Sequence, residues 1–181
     1  MKVRDADLPG LKLIQPDVFG DERGFFLETY NAERYAAAGI DVTFVQDNHS
    51  RSVKDTLRGL HYQSHPGQAK LMGVVVGRVF DVAVDIRPAS PTYGQWVGET
   101  LTAETGEQLW IPRGFAHGYV TLTDDTELFY KVDGDYAPAL EGGLIWNDPD
   151  LGIAWPLEGE PVLSDKDKVL PRLKDMPKAE F

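Results

Sequence analysis

The chain contains no cysteine. Disulfides, thiolate metal sites and a cysteine nucleophile are therefore excluded at once, and the lack of thiols accords with a cytoplasmic protein. Positive charge is also scarce. Against 29 Asp and Glu stand only 18 Lys and Arg, for a formal net charge of −11. A field of that sign opposes non-specific binding to nucleic acid and to anionic membranes. A site for an anion would have to be assembled from a few clustered cations, so the position of each basic residue is informative. Long apolar runs are missing too: none approaches the roughly 18 residues of a membrane span. The first residues, "MKVRDADLPGLKLIQPDVFGDERGFF", hold no apolar signal core. A soluble, unprocessed protein with no membrane or nucleic-acid partner is expected.

Helical patterning is the last scarcity. Only "NAERYAAAG" reads clearly as helix, with Asn31 as N-cap and Gly39 as the residue beyond the C-cap. A second helical turn is expected near "SDKDKVL". What fills the chain instead is strand. In "VFDVAVDIR", Phe80, Val82, Val84 and Ile86 fall on one face; Val79, Asp81, Ala83, Asp85 and Arg87 fall on the other. "QWVGETLT", "QLWIP", "GYVTL" and "TELFYKV" read as further strands, with "SPTYG" as a turn and "RGFAHG" as a corner. The 181 residues suffice for one well-cored domain spanning 1–181. The 42% hydrophobic content is that of a globular chain. Many strands at close spacing predict an all-β sandwich or jelly roll with one or two short peripheral helices.

The segment "TLRGLHYQSHP" places an arginine, two histidines and a glutamine in otherwise strand-like sequence. His61 and His65 have the i, i+4 spacing of a helical metal pair. On a strand those positions lie about 13 Å apart, so a metal would need a bend plus His117 and a carboxylate such as Glu104. No metal is expected. A histidine in an apolar strand is more often a satisfied core residue than a catalyst. His61, however, shares its face with Gln63, and Arg58 lies three residues upstream. In a regular strand Arg58 and His61 would point to opposite faces, but a bulge at Gly59 would bring both to one cavity. Tyr130 in "TELFYKV" reads alone as a core tyrosine, and "DERGFFLE" as a charged turn before a buried strand.

Taken in order, these segments are more specific than any one of them. "DERGFFLE", "FVQDNHSRS", "LRGLHYQ", "KLMGVVVGRVFDVAVDIRPASPTYGQW", "QLWIPRGFAHGYVTL", "ELFYKV", "YAPALEGGLIWNDPDLGIAWP" and "LSDKD" closely resemble the dTDP-4-dehydrorhamnose 3,5-epimerases, over residues from about 10 to 173. The resemblance implies a cupin-type jelly roll, usually a homodimer, acting on a dTDP-sugar without metal or cofactor. It implies that His61 is the catalytic base, Asp167 its carboxylate partner and Tyr130 the proton donor on the opposite face of the sugar. Arg23, Glu28, Gln46, Asp47 and Asn48 match positions that line the nucleotide-sugar site. So do Arg58, Lys70, His117, Glu141 and Lys166. Lys70 is the first choice to stabilise the enolate and His117 the second. Arg23, Arg58 and Lys166 suit the diphosphate, and Phe25, Phe26 or Tyr136 the thymine. Asp55, where a small residue is more usual, and Leu144, where isoleucine is common, are local departures that touch no proposed catalytic group.

The expected reaction converts dTDP-4-dehydro-6-deoxy-D-glucose to dTDP-4-dehydro-L-rhamnose. The alternatives are an epimerase restricted to one carbon of another dTDP-4-keto-6-deoxysugar, a non-catalytic sugar-binding cupin, and a metal-dependent cupin oxygenase. Solvent-deuterium exchange separates the first two, since label enters at two carbons or at one.

Overall fold

A computed structural model describes all residues, Met1–Phe181. The apolar alternation of "TELFYKV" forms strand β12 (Thr126–Val132), which buries Leu128 and Val132 on one side. It pairs with β5 (Gln46–Ser52) and β7 (Lys70–Val76). Outward from β7 follow β10 (Gln108–Ile111), β2 (Lys12–Gln15) and β1 (Lys2–Asp5), completing a six-stranded antiparallel sheet. A five-stranded sheet faces it. Its order is β13 (Glu141–Gly143), β6 (Leu57–Gln63), β11 (Phe115–Thr121), β8 (Arg78–Asp85) and β9 (Trp96–Thr102). The expected corner "RGFAHG" is shorter than predicted, because pairing with β8 begins at Phe115.

Two facing antiparallel sheets with non-sequential strand order make a jelly roll. Leu13, Met72, Val74, Leu109 and Leu128 from one sheet meet Val79, Ala83, Val97, Leu101 and Tyr119 from the other. Burial of these side chains on both inner faces is the main stabilising term. Both outer faces are also covered in part. Leu144, Leu151 and Ala179 from the C-terminal segment pack on Leu60, Val82, Val84 and Ile86. The helix α1 (Ala32–Ala37) covers the other back face, where Tyr35 and Ile40 meet Ile14, Leu71 and Trp110. As expected, the Asn31 side chain caps this helix by accepting from the Arg34 backbone N–H, and Gly39 ends it at φ +84°. No helix is long and apolar enough to cross a membrane.

Gly59 positions the functional face of β6. Its φ is +122°, and a Cβ there would lie 2.6 Å from the Gly118 Cα. Register against β11 breaks at this point. His61 pairs with His117 and Arg58 with Tyr119, so three steps on β6 match two on β11. That extra residue is a bulge, and it turns Arg58 and His61 toward one cavity.

The segment "DERGFFLE" departs from its expected reading. Strands β3 (Val18–Asp21) and β4 (Gly24–Leu27) form a separate two-stranded ribbon. Phe25 and Phe26 on it are 70% and 69% exposed rather than buried. The ribbon joins neither sheet, and its two phenylalanines border an open pocket beside Val75 and Phe129 that leaves them largely uncovered within this chain.

Candidate active site

Between the sheets lies a cavity of about 410 Å³, adjoined by a second lobe of about 270 Å³. Both lobes are lined by His61, Lys70 and Tyr130. His61 comes from the five-stranded sheet; Lys70 and Tyr130 come from the six-stranded one. Opposite walls of one void therefore present an imidazole and a phenol.

Asp167 stands behind His61. It opens a short 3-10 turn, is 3% exposed, and its Oδ1 lies 2.6 Å from His61 Nε2. The turn is anchored where the Asp167 backbone N–H donates to Ser164 Oγ at 3.1 Å. A carboxylate accepts, so Nε2 carries the imidazole hydrogen and Nδ1 keeps the lone pair. Burial lowers the His61 pKa below its ordinary value, against the opposing pull of Asp167, and Lys70 and Lys166 lower it further. The ring is thus neutral at neutral pH, with a lone pair free to take a proton. Tyr130 is the complement. Its hydroxyl donates to no protein acceptor, and burial raises its pKa against the opposing effect of Arg58, so it holds its proton.

Lys70 is the first residue of β7 and makes no ion pair, although Asp81 and Glu141 act on it from nearby. Burial pushes its pKa down to about 8, with Asp81 and Glu141 resisting. His117 forms a second histidine–aspartate pair, Nε2 to Asp81 Oδ1 at 2.8 Å, with both side chains buried. Burial lowers the His117 pKa too. With its Nε2–H given to Asp81, neutral His117 has only an acceptor left at Nδ1. It cannot then serve as the second donor to an enolate, and Lys70 is the cation that can.

At the mouth, the Arg58 guanidinium rests on Ser52 Oγ at 3.1–3.2 Å and faces no carboxylate. Lys166 pairs with Glu141 at 2.6 Å, and Glu141 also accepts from the Tyr136 hydroxyl at 2.9 Å. Gln46 and Asn48 join the second lobe and bond to each other at 2.8 Å. Strand alternation decides the fate of Asp47. With Gln46 and Asn48 turned inward it points outward, to Lys131 at 2.7 Å, and lies outside the cavity. Arg23 and Glu28 also lie outside. Arg23 is bound to Asp21 at the ribbon tip, and Glu28 to Arg34 at 3.0 Å. Asp55 adopts a left-handed φ of +61°, which aspartate tolerates better than most residues.

Residues 5–175 match the family profile described as dTDP-4-dehydrorhamnose 3,5-epimerase. The chain belongs to the dTDP-4-dehydrorhamnose 3,5-epimerase family. An epimerase of that name from Pseudomonas aeruginosa is 53% identical over 169 residues, covering 93% of each chain. Another from Salmonella typhimurium is 54% identical over 175 residues, covering 96% of each. A crystal structure of the Legionella pneumophila 3,5-epimerase in complex with dTDP-4-keto-L-rhamnose superposes with a TM-score of 0.94. That chain is 46% identical, with 99% of both chains covered. Within this epimerase family the jelly roll is cupin-like.

Some residues in or behind the cavity were not marked by sequence reasoning. Asp81 carried a signal, being an acid inside an apolar strand whose two faces are both buried. Tyr119 and Ser50 carried none, since a tyrosine among valines and a serine in a polar strand look ordinary.

Proposed function

We propose that the chain inverts C3 and C5 of dTDP-4-dehydro-6-deoxy-D-glucose to give dTDP-4-dehydro-L-rhamnose. The observation that carries this reading is His61 and Tyr130 on opposite walls of one cavity, with Lys70 between the lobes. The C4 ketone acidifies the hydrogens on C3 and C5. His61 Nδ1 removes one of them, and its new charge is balanced by Asp167. The electron pair moves onto the C4 oxygen as an enolate. Tyr130 then gives its proton to the other face, the enolate returns to the ketone and the carbon is inverted; His61 releases its proton to solvent and the Tyr130 phenolate takes one back before the second carbon reacts.

The difficult step is the first. A ketone α-hydrogen lies on the order of twelve pK units above an imidazole, which is about 16 kcal/mol. No histidine shift closes that gap, so the enolate oxygen must be stabilised directly. A preorganised cation in a water-poor site supplies about 2.7–4 kcal/mol per donor, and Lys70 has the required free ammonium. Arg58 and Lys166 are assigned to the diphosphate, and Gln46, Asn48 and Glu141 to the remainder of the nucleotide.

The test is proton exchange in deuterated water, followed by NMR. The double epimerase puts deuterium at both C3 and C5. Label at one carbon alone overturns the assignment in favour of a single-carbon enzyme. Binding of the dTDP-sugar with no exchange would identify a non-catalytic binder.

The active form is proposed to be a homodimer in which the β3–β4 ribbon completes the neighbouring cavity. Exposed Phe25 and Phe26, and the distance of Arg23 and Glu28 from their own site, support this. Sedimentation should give twice the chain mass, 20.1 kDa, and Phe25→Asp with Phe26→Asp should yield monomers. A wild-type monomer at micromolar concentration contradicts it.

A further inference from the structure

The cavity holds a second phenol, which the proposed mechanism leaves idle. Tyr119 lies on β11, directly opposite Arg58 of β6. Its ring belongs to the main core, beside Leu128 and Met72, and is 4% exposed. Its hydroxyl meets Ser50 Oγ at 3.0 Å, and both residues line the main lobe. Ser50 is brought there by the same alternation along β5 that turns Gln46 and Asn48 inward.

The hydrogen-bond count of this pair is unequal. Two hydroxyls carry two hydrogens, and one of them is used between Tyr119 and Ser50. Neither oxygen has any other partner in the protein. One O–H is therefore left over on the wall of the cavity, with no protein acceptor within hydrogen-bond distance. A buried donor without an acceptor is costly, and a bound ligand that supplies the acceptor recovers that cost.

The position of the pair selects the acceptor. Arg58, the exposed residue assigned above to the diphosphate on C1 of the sugar, has Tyr119 as its direct cross-strand neighbour. The sugar hydroxyl nearest to C1, and so nearest to a group beside Arg58, is the one on C2. Lys70 is assigned to the C4 oxygen on the far side of the ring, and the C3 substituent is bonded next to that end. We propose that the Tyr119–Ser50 hydroxyl pair binds the C2 hydroxyl of the sugar and makes this chain select against 2-deoxy substrates. The proposal rests on the epimerase reading and extends it to a specificity determinant that takes no part in proton transfer.

The test is a two-by-two comparison. Wild type and Tyr119→Phe are each assayed for kcat/KM with the parent 4-keto sugar nucleotide and with its 2-deoxy analogue. Phenylalanine keeps the ring in the core and removes one oxygen. The substitution should cost about tenfold more with the parent than with the analogue, the worth of one buried neutral hydrogen bond. Ser50→Ala should compress the same ratio, and the change should appear mainly in KM. Affinity for dTDP alone, measured by calorimetry, should move by less than about twofold, since the contact is to the sugar. Equal losses on both substrates overturn the proposal, as does a Tyr119→Phe enzyme that binds dTDP tenfold more weakly, which would put the hydroxyl on the phosphate. A wild type that turns over neither sugar overturns the epimerase reading itself, and this proposal with it.

Discussion

His61→Asn is expected to lose turnover by a factor of about 10³ or more and to stop releasing substrate hydrogen into solvent. Asparagine retains a polar group that can still meet Asp167, but it offers no lone pair of imidazole basicity. General-base catalysis contributes about 10²–10⁴, and no other group near the sugar replaces it. His117 has its Nε2 committed to Asp81 in a second, separate pair. Tyr130 retains its proton because burial raises its pKa. Tyr130→Phe should fail differently. With His61 intact, a hydrogen can still be removed and returned from the same side. That enzyme should exchange substrate hydrogen for deuterium while leaving configuration unchanged. Mass spectrometry of recovered substrate, beside a chiral product assay, separates the two failures. Exchange by His61→Asn at the wild-type rate would remove the histidine from the mechanism.

Lys70→Met should lower kcat by about 10²–10³, the loss associated with one oxyanion donor, and should raise stability. The sign follows from the ionisation of the lysine. Its folded pKa is about 8, below the ordinary lysine value of 10.5, because burial disfavours the ammonium. Below pH 8 the folded protein holds a cation that the unfolded chain would hold more favourably, so the group destabilises there. That penalty fades as pH rises from about 8 to 10.5. At 1.36 kcal/mol per unit the full span is about 3 kcal/mol. Methionine removes the charge and keeps the length, so urea unfolding at pH 7 should show a gain of up to that size. Catalysis runs the other way. Activity in the wild type should fall as pH rises through about 8, where Lys70 loses its proton. It should also fall at acid pH, where His61 gains one, at a pKa below the ordinary histidine value. A Lys70→Met enzyme with unchanged kcat and lower stability would contradict the account.

Why these residues sit where they do was legible in the sequence to different degrees. Strands β8 and β12 and helix α1 announced themselves, because their apolar periodicity or caps are set by the faces they bury. Strand β5, "QDNHSRS", has no apolar period at all, because its inner face lines a polar cavity and its outer face carries polar pairs to Glu127 and Lys131 of β12 and to Asp125 just before it. Hydrophobic patterning cannot find such a strand. The ribbon β3–β4 misled for the opposite reason: two adjacent phenylalanines suggested burial that one chain does not provide. At the site, His61, Lys70 and Tyr130 were legible only through the ordered set of motifs, since each alone passes for a core or surface residue. The bulge at Gly59 was readable from the physical conflict between Arg58 and His61 on a straight strand. The Asp81–His117 pair was half visible, as a buried acid with no partner nearby in sequence.

The central claim is that one sugar ring lies between His61 and Tyr130, and a crystal structure with a dTDP-sugar that lacks the C4 carbonyl tests it most directly. His61 Nδ1 and the Tyr130 hydroxyl should lie on opposite faces of that ring, each within about 3–3.5 Å of C3 or C5. Lys70 Nζ should lie beside the C4 substituent. A sugar held with both side chains on one face, or held outside the cavity, would contradict that claim.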